Sequence, residues 1–89
     1  MNPTPTIEDQ LKDFIAKNLL FSADGFPYSD DASFLGEGII DSLGVMELVE
    51  FVGKRFGIAV EQTEVTPENF DSIRRLSAFA RRKQNPESS

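Results

Sequence analysis

Residues 42–56 carry apolar side chains at a helical period between a start signal and a stop signal, and no other stretch restricts the fold as much. On a wheel of about 100° per residue, Val45, Leu48, Val49, Val52 and Phe56 share one side. Glu47, Glu50 and Lys54 fall on the other. Asp41 is a good N-cap residue, and Gly57 suits a left-handed C-cap. The pattern predicts a helix over 42–56 that buries one face. Such a helix is marginal alone, so it has to pack on others.

The partners are legible on either side. Thr4 or Thr6 opens a first helix, with Pro5 tolerable in its first turn. Glu8 and Asp9 suit the positive end of its dipole. Ile7, Leu11, Phe14 and Ile15 form its apolar face, and the helix fades near Leu20. After Gly57, Ile58 and Val60 form a short extended piece. Thr66-Pro67-Glu68 starts a short helix that holds Phe70. Asp71 or Ser72 then caps a further helix reaching about Lys83. The expected fold is all-α: a small bundle of three principal helices plus one short helix, with a long loop between the first and second helices. The expected domain spans residues 4–83, with flexible termini at 1–3 and 84–89.

The loop, residues 21–40, is rich in turn chemistry: Asp24-Gly25, Pro27, Asp30-Asp31, Gly36 and Gly38. A structureless connection of that length is unusual in 89 residues. Phe21, Phe26, Tyr28, Phe34 and Leu35 are therefore expected to pin it to the core, with room for one short helical turn. Its acids lack the alternating spacing of a calcium loop, so no metal is expected.

Composition narrows the chemistry. There is no cysteine and no histidine, hence no disulfide framework, no thiol and no imidazole base. The net charge is −6 and uneven. Residues 1–73 hold fourteen acids against four bases, and residues 74–89 hold five bases against one acid. An acidic bulk disfavours nucleic acid and favours partners with basic patches. On the last helix Arg74, Arg75, Arg81 and Arg82 lie opposite Ile73, Leu76, Phe79 and Ala80, which reads as a solvated face. The first residues have neither a basic region nor an apolar run, so no signal peptide is expected. The apolar runs are far too short to insert in a membrane. A cytoplasmic monomer is the expectation.

Ser42 stands out within this frame. With Asp41 as the cap, its hydroxyl can point outward from the first helical position. A helix N-terminus favours an attached phosphate through its N–H groups and dipole. A serine hydrolase is disfavoured, because nothing in the chain can shuttle a proton at a suitable pKa. Leu43 and Met46 fall outside the core stripe, on the side shared by Ser42, Glu47 and Glu50. They form either a docking face or a contact under the long loop.

The run Gly38-Ile39-Ile40-Asp41-Ser42-Leu43-Gly44-Val45-Met46-Glu47-Leu48 resembles the modification site of acyl carrier proteins. Phe56-Gly57-Ile58, Asn69-Phe70-Asp71-Ser72-Ile73 and Leu76 extend the resemblance over roughly residues 4–83. It implies that Ser42 carries a 4′-phosphopantetheine arm, donated by coenzyme A through a magnesium-dependent phosphopantetheinyl transferase. The arm would import the thiol that the chain lacks and hold acyl or aminoacyl groups as thioesters. Asp41 would cap the helix and help present the site to the transferase. Leu43, Met46, Glu47 and Glu50 would be read by partners: the transferase, a loading ligase and downstream synthase or transferase enzymes. The resemblance implies a carrier rather than an enzyme, serving fatty-acid, polyketide or related biosynthesis.

Three departures qualify it. Gly44 stands where an acid is common in fatty-acid carriers. Gly53-Lys54-Arg55 replaces an acidic stretch. Ile40 stands where peptidyl carriers have glycine. Gly-x-x-Asp-Ser over Gly38 to Ser42 also resembles D-alanyl and other stand-alone aminoacyl carriers. A specialised stand-alone carrier is the expectation, with D-alanyl, aminoacyl or peptidyl cargo as the alternative. An unmodified helical interaction module is the alternative of another class. Val49, Phe51 and Phe56 could line a space for a long acyl chain, although Phe51 is large enough to limit it.

Overall fold

The computed structural model of the chain describes residues 5–84. Four α-helices appear among them: α1 (Ile7–Asn18), α2 (Ser42–Phe56), α3 (Pro67–Phe70) and α4 (Ile73–Gln84). A 3₁₀ turn, Gln62–Glu64, precedes α3, and the described residues contain no strand. Of the termini expected to be flexible, 1–3 and 84–89, only Gln84 is described, and it is the last residue of α4; the others lie outside the described residues. So does Thr4, one of the two starts considered for α1.

Thr6 is the N-cap of α1, in a reciprocal capping box with Asp9. Pro5 therefore precedes the helix instead of entering its first turn. Leu11 and Ile15 are fully buried on this helix, while Ile7 and Phe14 are half-buried. The helix α2 begins and ends where its cap residues place it. The Asp41 carboxylate accepts the Gly44 N–H at 2.8 Å, and Gly57 adopts φ 64°. Leu48 and Val52 are sealed in the core; Val45, Val49 and Phe56 pack half-buried against it. Ile58 and Val60 are half-buried and form no strand, and the Ile58 N–H donates to the Gly53 carbonyl at 3.2 Å.

The helix α4 is the central post, packing against each of the other three. Its Ile73, Leu76, Phe79 and Ala80 are buried, as the wheel places them. Between α1 and α2 the contact is aromatic: Phe14 stacks on Phe51 with centroids 4.1 Å apart, and Phe56 meets Phe51 edge-on.

The long loop does more than expected at some residues and less at others. Phe34 is fully buried, and Phe26 packs edge-on against it at 6.4 Å. Ile39 and Ile40 are buried too, with both N–H groups donating to the Phe34 carbonyl. One turn closes here, from the Glu37 N–H to the Ser33 carbonyl, without becoming a helix. By contrast Phe21, Tyr28 and Leu35 are exposed. The half-buried Leu19 and Leu20 occupy the core where the chain leaves α1, so Phe21 is turned outward.

The Asp71 carboxylate fastens the second half of this loop to the far side of the bundle. Asp71 accepts the Leu35 N–H at 3.0 Å and a short bond from the Ser33 hydroxyl, and its carbonyl accepts the Phe34 N–H. Ser72, not Asp71, caps α4, accepting the Arg75 N–H at 3.1 Å.

The basic face of α4 is occupied rather than merely solvated. Arg81 grips Glu8 with two bonds of 2.6 and 2.7 Å, joining the first helix to the last. Arg74 pairs with Asp31, Lys83 with Glu64, and Arg82 donates to Asn69. The Arg81 guanidinium holds the Glu8 carboxyl well below its ordinary 4.5, at about 2. A carboxyl with a depressed folded-state pKa stabilises the fold above its unfolded pKa and loses that contribution as pH falls toward the folded value. Wild type is therefore expected to exceed Glu8→Gln in stability at pH 6 by about 1 kcal/mol, since the bridge is partly exposed. The gap should close between about pH 4.5 and 2. Thermal melts of the two proteins across that range check it; a gap independent of pH would contradict it.

Candidate functional site

Ser42 is the first residue of α2 and is exposed. Three neighbours fix it. Ile39 and Ile40 bury their side chains immediately upstream, and Asp41 closes the helix end with its carboxylate on the Gly44 N–H. The capping duty thus falls to Asp41 and leaves the serine hydroxyl available. The first intrahelical bond runs from the Val45 N–H to the Asp41 carbonyl. The N–H groups of Ser42 and Leu43 lie ahead of it, where helix geometry supplies no partner. With the helix dipole they favour an anionic group at this end.

Gly44 has a structural reason to be glycine. A Cβ there would overlap Ile40 Cγ2, with the Asp41 carboxylate 3.5 Å away. Ile40 fills the notch where a side chain would sit, and that locks the loop to the first turn of α2. Gly44→Ala gains about 1 kcal/mol of helix propensity. It overpacks the notch at a cost of about 1–3 kcal/mol. The expected result is a net loss of Tm, smaller when Ile40 is also alanine, read from melts of the two single variants and the double.

Leu43 and Met46 are 76% and 56% exposed, so they do not pack under the loop. Glu47 and Glu50 are exposed beside them, Glu50 lying 3.8 Å from Lys54. These residues line an open groove of about 780 Å³. Its apolar walls include Phe21, Leu43 and Met46, and Asp41, Glu47 and Glu50 supply its acids. Phe21 is the member that the sequence did not announce. It is 83% exposed and sits at φ 53°, a left-handed conformation that costs an L-residue about 1–2 kcal/mol.

A model of the phosphopantetheine attachment site matches residues 9–80. The chain belongs to that family. Its covalent cofactor is 4′-phosphopantetheine, and carriers of this family bear it. The chain is also similar to a D-alanyl carrier protein of Abiotrophia defectiva, 38% identical over 53 residues, which is 60% of this chain and 67% of that one. The residues here suit such a group. An exposed hydroxyl not used as a cap stands beside backbone N–H donors, with open space alongside. No helix of the described residues is long and apolar enough to cross a membrane.

A crevice of about 90 Å³ lies between α2 and α3, bounded by Leu35, Val45, Val65 and Phe70. Phe51 stacks on Phe14 and also lines an open cavity of about 500 Å³ with Glu47, Glu50, Lys54 and Arg55.

Proposed function

We propose that this carrier bears its 4′-phosphopantetheine arm on Ser42 and presents aminoacyl or short acyl thioesters to partner enzymes. The observation that carries the reading is the division of labour at the start of α2. Asp41 satisfies the helix end, and the adjacent hydroxyl is left exposed in a chain that has no thiol of its own. The bound group supplies that thiol. The chain supplies an anchoring oxygen, a dipole suited to a phosphate, and an acidic, partly apolar face for docking. It is not itself an enzyme in this reading, because neither histidine nor cysteine is present to take the serine proton. Its partners are a phosphopantetheinyl transferase, a loading ligase and a downstream acyl- or aminoacyl-accepting enzyme.

Incubation of the purified chain with coenzyme A, magnesium and a promiscuous transferase tests the attachment. One phosphopantetheine should be gained, and peptide mapping should place it on Ser42. A chain that gains nothing would instead be an unmodified interaction module.

One observation favours an aminoacyl cargo such as D-alanine over a fatty acyl one: the similar protein from Abiotrophia defectiva is a D-alanyl carrier. Mass spectrometry of the chain isolated from its host distinguishes the two. A long acyl thioester as the main form would exclude the aminoacyl reading and leave the attachment at Ser42 intact.

A further inference from the structure

We infer that Phe21 is a docking residue for the phosphopantetheinyl transferase, a pre-set third apolar contact beside Leu43 and Met46. This rests on the proposed attachment at Ser42.

Two features of Phe21 are unfavourable to the free chain, and both fall on the same residue. Its backbone is left-handed, which phenylalanine seldom adopts, and its ring stands in water. The turn is held from outside the residue. Leu20 donates its N–H to the Ile15 carbonyl at 2.9 Å, and Ser22 donates to the Ala16 carbonyl at 2.8 Å. Glycine or asparagine would satisfy that backbone without strain. The ring does almost nothing for the core, so its use lies outside the fold.

The groove that Phe21 lines says what that use is. Its opposite wall is Leu43 and Met46, and Asp41 and Leu43, the residues on either side of Ser42, line it as well. An enzyme that forms the bond from the Ser42 oxygen to the phosphopantetheine phosphorus, breaking the pyrophosphate of coenzyme A and releasing adenosine 3′,5′-bisphosphate and the serine proton, must bring its active site to this end of α2. Its footprint therefore covers the groove. Three exposed apolar side chains among Asp41, Glu47 and Glu50 match an apolar ridge flanked by lysine or arginine. Three of the five cations of α4, Arg81, Arg74 and Lys83, are already paired with Glu8, Asp31 and Glu64.

The test compares wild type, Phe21→Asn and Phe21→Gly as apo chains with coenzyme A, magnesium and the transferase, following holo formation by intact mass. Both replacements suit the left-handed backbone, so Tm should hold or rise. The kcat/KM for modification should fall by about tenfold, as for loss of a central aromatic contact. The fall should be carried by KM, and Phe21→Leu should lie between. Modification of both variants within twofold of wild type would overturn the inference. So would a fall carried by kcat with KM unchanged, which would make Phe21 a residue that positions Ser42. If wild type itself takes no group, it is the attachment at Ser42 that has failed.

Discussion

Ser42→Ala is expected to take up no phosphopantetheine under conditions that convert wild type fully, while its Tm stays within a few degrees of wild type. The two halves of that result have separate causes. Among the described residues the modification has no other oxygen in the same setting, outward from the first position of a helix whose cap is already satisfied. The stability is spared because the hydroxyl is exposed and alanine is a good helix former. Surface changes of this kind usually stay within about 0.5 kcal/mol. Asp41→Ala should behave differently. It removes the bond to the Gly44 N–H, costs about 0.5–2 kcal/mol, and slows modification without abolishing it. Intact mass and thermal melting on the same samples read both effects. A Ser42→Ala protein that still gains the group would end the assignment.

The largest effect on stability is expected at a loop residue. Phe34→Ala should cost about 3–5 kcal/mol. Small domains have about 5–15 kcal/mol in total. Phe34 is fully buried, its N–H donates to Asp71, and its carbonyl receives both Ile39 and Ile40. Emptying that position leaves a cavity and loosens the segment that delivers Asp41 to the helix start. Tm should drop by more than about 12 °C. Holo formation near the melting range should fall with it, although Phe34 is buried and cannot meet an incoming enzyme. Leu35→Ala, at a half-exposed neighbour, is the comparison and should lose less than about 1 kcal/mol. Similar losses for the two variants would mean that the loop is not pinned through Phe34.

The helix α2 was legible because its limits are local chemistry. An aspartate that caps and a glycine that takes positive φ act within a turn of themselves, and both stand where the pattern puts them. For the same reason Ser42, Leu43, Met46, Glu47 and Glu50 could be placed on one exposed side before any coordinates. The loop was not legible in the same way. Its aromatic residues have no period, so nothing nearby says that Phe34 goes in and Phe21 goes out. Asp71 and Ser72 are equally good caps by type. The choice is made by Ser33 and Leu35, far away in the chain. The arginines of α4 read as a solvated face because Glu8 and Asp31, which hold two of them, are just as distant. Gly44 carried a signal that could have been used, a glycine in the first turn of an otherwise strong helix. Its meaning depends on Ile40 filling the space.

The interlock of Ile40 with Gly44 bears on how a tethered thioester finds its targets. A swinging tether can sweep from a base that moves or from one that stays still. Here Ile39 and Ile40, just ahead of Asp41, are buried, and Gly44, two residues after Ser42, is sealed by a methyl group of Ile40, so the base stays still. With the arm on Ser42, as proposed, the reach of the cargo is a sphere set by the arm, centred on a fixed point of the surface. Enzymes that exchange cargo with this carrier must bring their active sites inside that sphere. In this reading the part that travels to them is the part that is added.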